Sequence, residues 1–118
     1  MTIYVSDLLN MSGGVPVGGG GVNWKMISIN TIASVGDGYI IDTASGVITL
    51  TLPPFPQVGD QIGVADYNKN FETNNGIISR NDHKIMGLSE DFVCDVNDTS
   101  ILFVYTGITY GWKILNGI

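Results

Sequence analysis

The chain has one histidine and one cysteine in 118 residues, so chemistry built on either has little to draw on. His83 lies between Asp82 and Lys84 in a polar stretch, where it reads as a turn residue. A single histidine supports no multi-histidine metal site. A nucleophile–histidine–acid relay would have to run through His83, and no Gly-x-Ser-x-Gly elbow supplies a serine. Cys94 has no partner for an intrachain disulfide. Phe92, Cys94 and Val96 recur at every second position, so the thiol reads as a small hydrophobe on the buried face of a strand. Paired carboxylates could serve as acid and base in glycoside hydrolysis, with Asp42, Asp60, Asp66, Glu90, Asp91 and Asp95 as candidates. Most of them fall at strand ends, where Asp caps turns. Asp95-Val-Asn97-Asp98 alternates oxygen ligands suited to calcium but lacks the full loop of a calcium hand. The inventory predicts no enzyme, no metal and no cofactor.

Aromatic residues are the remaining candidates. Tyr67, Phe71, Tyr105, Tyr110 and Trp112 fall near strand ends in the second half of the chain. In one reading Tyr67, Tyr110 and Trp112 stack against sugar rings beside the many Asn and Asp residues, which would make host carbohydrate a partner. In the other, Phe71, Tyr105 and Trp112 plug the open ends of a β-sandwich.

Hydrophobic residues make up 44% of the chain and charged residues 14%, which fits a single folded domain and leaves much of the surface to Asn, Thr, Ser, Gly and apolar groups. Such a surface suits a chain covered by neighbours. Eleven acids against five scattered bases give a net charge of −6, which sets aside nucleic acid and anionic membrane as partners. No apolar run approaches the ~20 residues of a membrane helix. The first residues lack the basic and apolar regions of a signal peptide, so synthesis and retention in a cytoplasm are expected.

The elements that must position these groups follow a period of two from residue 24 onward. Met26–Ile32, Tyr39–Asp42, Val47–Leu52, Gln61–Asp66, Gly76–Arg80, Phe92–Val96, Ile101–Tyr105 and Trp112–Leu115 read as about eight short strands. Turns rich in Asn, Asp and Gly separate them, and Ala44-Ser-Gly46 looks like a hairpin. The expected fold is all-β: an antiparallel β-sandwich or jelly-roll-like barrel with an N-terminal extended arm. Pro53-Pro54-Phe55-Pro56 reads as a stiff corner between two sheets, with Phe55 as a plug. Upstream, six glycines in Ser12–Gly21 form a flexible link, and no helix follows to make it a phosphate-binding loop. Three regions result: an arm at 1–11 whose Ile3, Tyr4, Val5, Leu8 and Leu9 would dock on a partner, a linker at 12–23, and a knob at 24–118.

Gly38-Tyr-Ile-Ile-Asp-Thr-Ala-Ser-Gly-Val-Ile-Thr-Leu-Thr-Leu-Pro53, followed by Val58-Gly-Asp-Gln-Ile62 and Asp66, resembles a module of tail-fibre and other virion-structural proteins of tailed bacteriophages, including several cyanobacterial phages. The likeness continues through Thr73-Asn-Asn75, Arg80-Asn81, Ile85-Met-Gly87, Glu90-Asp91, Leu102-Phe-Val-Tyr105 and Gly111-Trp-Lys113, and spans about residues 24–115. It implies an all-β knob that associates as a homotrimer and carries no catalytic residues. With only 23 residues before the knob, the expected roles are a capsid decoration (cement) protein or a short tail-fibre or baseplate component. The partners would then be other copies of the chain and other virion proteins, and the location the virion.

Overall fold

A computed structural model describes residues 2–4 and 21–116. It is all-β among those residues, with two five-stranded sheets packed face to face. In chain order the strands are β1 (Ile3–Tyr4), β2 (Asn23–Ile27), β3 (Thr31–Ile32), β4 (Asp37–Ile41), β5 (Ile48–Thr51), β6 (Gln61–Asp66), β7 (Gly76–Ser79), β8 (Phe92–Cys94), β9 (Ser100–Tyr105) and β10 (Trp112–Asn116). One sheet has the order β1-β8-β7-β5-β3 and the other β10-β9-β6-β4-β2. The β-sandwich is as the alternating sequence pattern predicts.

Strand direction is not what turn signals alone suggest. The pairs β2–β4, β4–β6, β3–β5, β5–β7 and β1–β8 are parallel, and only β7–β8, β6–β9 and β9–β10 are antiparallel. The reason is the route of the chain. From β2 to β6 each strand is followed by a crossing to the opposite sheet, so the chain returns to its first sheet pointing the same way as before. The strand in the other sheet serves as the crossover that any parallel pair requires. The stretch 26–32 illustrates this: it is two strands in different sheets, broken at Ser28-Ile29-Asn30. Asn30 Oδ1 accepts the Thr49 N–H at 2.8 Å, which ties the bend to β5. Likewise Ala44-Ser-Gly46 joins β4 to β5 across the core, and is no hairpin. Gly46 adopts φ 148°, and Asp42 Oδ1 caps the turn at the Ala44 N–H.

The core is the shared interior of the two sheets. Ile48, Leu50 and Leu52 alternate inwards along β5, opposite Ile62 and Val64 of β6 and Tyr39 and Ile41 of β4. Phe92 and Phe103 meet edge to face with centroids 5.7 Å apart. Phe71, Tyr105 and Trp112 are buried and close the interior, as the plug reading expects. Phe55 does not: it is 89% exposed, while Pro53 before it is buried. Pro53 follows directly on the last inward residue, Leu52, so the corner itself seals the core and lifts Phe55 clear.

The outer face of the β2-edged sheet carries a close packing that turns on two glycines. Trp24, Gly38 and Gly63 are in register on neighbouring strands. A Cβ on Gly38 would come within 2.5–2.9 Å of Trp24 Cε3, Cδ2 and Cζ3, and one on Gly63 within 2.7 Å of Cη2. The benzo ring of Trp24 therefore lies on the sheet over both glycines, a close approach of the kind that glycine inside a strand permits. At the same edge Lys25 forms an ion pair with Asp37 at 2.8 Å, placing charge on a strand that would otherwise invite pairing.

Gly38→Ala should cost about 1–3 kcal/mol by overpacking. It should also shift tryptophan emission to the red, because Trp112 is buried and only Trp24 is displaced. In a Trp24→Ala background the same change should cost little. Urea denaturation of the four proteins checks this, and equal losses in both backgrounds would mean that the indole is not the obstacle.

Candidate functional site

The two ends of the sandwich differ in chemistry. At one end β6 finishes on Asp66, whose Oδ2 accepts three backbone N–H groups: Asn70 at 2.9 Å, Phe71 at 3.2 Å and Asp98 at 3.0 Å. Asn70 and Asn74 each donate their side-chain amide to Thr43 O. Glu72 N–H donates to Asn97 Oδ1 at 3.0 Å, and Lys69 pairs with Asp98 at 3.6 Å. The Asn and Asp residues that looked available for sugar or calcium are engaged in holding their own loops.

The opposite end is built from the proline corner, the β7–β8 connection and the β9–β10 turn. Gly59 N–H donates to Tyr105 O, and Tyr105 N–H donates to Asp60 O, each at 2.9 Å. Asp60 Oδ2 caps the corner at the Gln57 N–H, 2.7 Å. Thr106 closes the β9–β10 turn on Gly111 O through both its N–H and its hydroxyl, and Gly87 N–H donates to Tyr110 O at 2.9 Å. Gly111 has φ 70° and packs so tightly on the Lys84 backbone that a Cβ there would overlap it. His83 is half-buried between these loops: Nε2 lies 2.9 Å from Pro54 O and Nδ1 3.4 Å from the Tyr105 hydroxyl. It is a pin between loops, not the solvated turn residue that its polar neighbours suggest.

This bonded framework presents large apolar side chains to solvent. Phe55 and Ile108 are each 89% exposed, Val58 is 75% and Tyr110 60%. Two close approaches tie their loops together: Val58 Cγ2 lies 3.9 Å from a Cβ built on Gly107, the residue before Ile108, and Tyr110 Cδ1 lies 3.3 Å from one on Gly87, next to exposed Leu88. This end forms an apolar tip of exposed side chains, and it is the candidate functional site. Among the expected residues it contains only Tyr110. The signal for the rest was visible as Pro54-Phe55-Pro56 and Gly107-Ile108-Thr109, hydrophobes set among residues that resist strand formation.

The expected aromatic sugar site does not assemble. Trp112 is 0% exposed and packs edge-on against Tyr105 with centroids 5.2 Å apart, so it cannot stack on a ligand. Its Nε1 has no hydrogen-bond partner among the described residues. Tyr67 follows β6 at the Asp66 end, whereas Tyr110 follows β9 at the tip. The length of β9, roughly 17 Å for five residue steps, separates the two ends. Of the arm residues, Ile3 and Tyr4 pair in parallel with Phe92 and Val93, and Ile3 packs on the core. They are thus an edge of the sandwich itself, while Val5, Leu8 and Leu9 lie outside the described residues.

The candidate carboxylates act mainly on their own backbone. Asp42, Asp60 and Asp66 accept N–H groups as above, and Asp91 Oδ1 accepts the Arg80 N–H at 2.9 Å. No group of three or more His, Cys, Asp or Glu among the described residues is arranged to hold a metal ion. Cys94 is buried, and its thiol titrates well above the ordinary value of 9.0, first because burial disfavours the thiolate and then through the charges of Asp95 and Asp66. No protein-family model matches the chain, and no curated protein matches it in sequence.

Burial makes Cys94 testable in two ways. A thiol reagent should label the native protein far more slowly than the urea-unfolded one, since only the thiolate attacks. The folded thiol titrates above the unfolded one, so its contribution to stability is complete below the unfolded pKa. Above that value it is lost at about 1.4 kcal/mol per pH unit. Urea midpoints from about pH 8 to 10.5 should therefore fall less steeply for Cys94→Ala than for the parent. Parallel declines would remove the thiol as the cause.

Proposed function

We propose that the chain is a non-enzymatic structural protein of a tailed-phage virion: a trimeric β-sandwich knob that joins the particle as a capsid decoration protein or as a short tail-fibre or baseplate component. The observation that carries this reading is the apolar tip. Phe55, Val58, Ile108 and Tyr110 project from hydrogen-bonded loops and contribute almost nothing to the core. Their apolar character is not explained by stability, since a polar residue at Phe55 or Ile108 would lose no buried contact. It is explained by a partner.

Large side chains held on a fixed backbone lose little conformational entropy on docking, which favours association. Exposed hydrophobes of this kind fit pockets or grooves on another virion protein. Three tips on one trimer would bind a symmetric surface by avidity, so each contact can be weak. The resemblance across residues 24–115 supplies the virion setting, and the two-sheet knob accords with it.

Phe55→Ser combined with Ile108→Ser should leave the fold and the oligomeric state intact, because both side chains are exposed. The same protein should be lost from assembled particles, as judged by its abundance in purified virions relative to the parent. Incorporation at the parental level would sink the proposal that the tip is the assembly contact.

A further inference from the structure

The proline corner cannot hold its own backbone. Pro53, Pro54 and Pro56 have no N–H, so between Leu52 and Gln57 only Phe55 can donate from the main chain. The far end of the corner is tied to β9 by the main-chain bonds that Gly59 and Asp60 make with Tyr105. The near end is tied by two side chains of one loop. Asn81 Nδ2 donates to Leu52 O at 2.9 Å, and His83 Nε2 lies 2.9 Å from Pro54 O. A carbonyl oxygen only accepts, so Nε2 carries the hydrogen, and in the neutral ring Nδ1 is left to accept the Tyr105 hydroxyl 3.4 Å away. The His83 and Tyr105 rings also meet edge to face, with centroids 5.5 Å apart. One imidazole thus joins the residue before Phe55 to the end of β9, where the turn that carries Ile108 and Tyr110 begins.

The loop that supplies both donors is itself tightly specified. Asn81 and Asp82 stand at φ 50° and 68°, two consecutive left-handed residues without a glycine. Asn and Asp tolerate that conformation better than most side chains, yet it persists where the surroundings over-determine it. Here His83 N–H donates to Arg80 O at 3.1 Å, Arg80 Nη1 donates to His83 O at 3.4 Å, and Arg80 N–H donates to Asp91 Oδ1. The turn so made brings Asn81 and His83 to the same corner. Neither belongs to the hydrophobic core.

We infer that Asn81 and His83 are positioning residues for the apolar tip: they fix the proline corner, and with it Phe55 and Val58, against the β9–β10 turn before any partner arrives. The inference rests on the tip being the assembly contact and adds to it the residues that hold the contact ready. Phe55 and Ile108 come from separate connections, so a recess that takes both requires a set spacing between two loops. His83 bonds to both sides of that gap. A corner already held has less freedom to lose on docking, so releasing it weakens binding without removing a contact.

The test is the amide order of the full chain by NMR relaxation, together with incorporation into virions. In the parent, Phe55, Gln57 and Val58 should match the rigid core amides of Ile62 and Phe103, with order parameters of about 0.85. In Asn81→Ala with His83→Ala, the corner amides should fall below about 0.6 while the core amides stay rigid, and the protein should be depleted from purified virions although Phe55 and Ile108 are unchanged. Asn81→Ala with His83→Gln, whose amide can donate in place of Nε2, should recover order at the corner. A glutamine variant as mobile as the alanine one removes the Pro54 bond as the cause. A corner that keeps parental order without both side chains, or a core that loosens together with it, overturns the positioning role. A loosened corner with parental incorporation overturns it too and leaves the tip contact standing, which the Phe55→Ser and Ile108→Ser protein tests separately.

Discussion

Every strand of this sandwich ends at a choice between turning back within its sheet and crossing to the other. From β2 to β7 the chain always crosses, and the rest of the structure follows from that. Alternate crossing makes the central pairs parallel, puts consecutive strands on opposite sides of one core and sends every connection to one of the two ends. Each crossing leaves backbone groups at the mouth of the core that need partners. At one mouth the partner is Asp66, whose single oxygen gathers three N–H groups. At the other, Tyr105 accepts from the Gly59 N–H and donates to Asp60 O, and the β9–β10 turn is bonded to its neighbours in the same way. The antiparallel strands β8, β9 and β10 then complete both sheets.

Because the loops do the closing, they also take most of the charge. The sheet faces are left to Thr, Ser and hydrophobes. This separates two kinds of surface in a chain of low charge: polar or apolar ends fixed by hydrogen bonds, and level faces fixed by strand register. Charge within the strands is sparse, and at the β2 edge the pairing of Lys25 with Asp37 places it where a bare edge would otherwise add strands from other chains.

Much of this was legible in the sequence. The period of two in Ile48-Thr-Leu-Thr-Leu52 and in Ile101-Leu-Phe-Val-Tyr105 announced half-buried strands, and their inward residues are buried, although outward Leu102 is covered as well. The proline run announced a corner between sheets, and β5 and β6 do lie in different sheets. Strand direction was not legible, because a short turn such as Ala44-Ser-Gly46 looks the same whether the chain reverses beside itself or crosses the core. The split of residues 26–32 was hidden for a related reason: Ile27 and Ile29 keep the period of two in the sequence, yet Ile29 sits on the bend between the sheets and is exposed. Aromatic placement was only half readable. Trp112 and Tyr110 are two residues apart, yet one is core and the other tip, since Gly111 at φ 70° swings the chain inwards between them.

The two exposed apolar surfaces differ in a way that bears on what each can do. Trp24 is part of the fold: its ring covers Gly38 and Gly63, so stability already accounts for an aromatic there. Phe55 and Ile108 cover nothing, and stability accounts for neither. A protruding side chain gains only where another molecule offers a recess. The two surfaces are also separate in the fold, because β6 and β9 set the tip at the end of the sheet and the Trp24 face lies along its side.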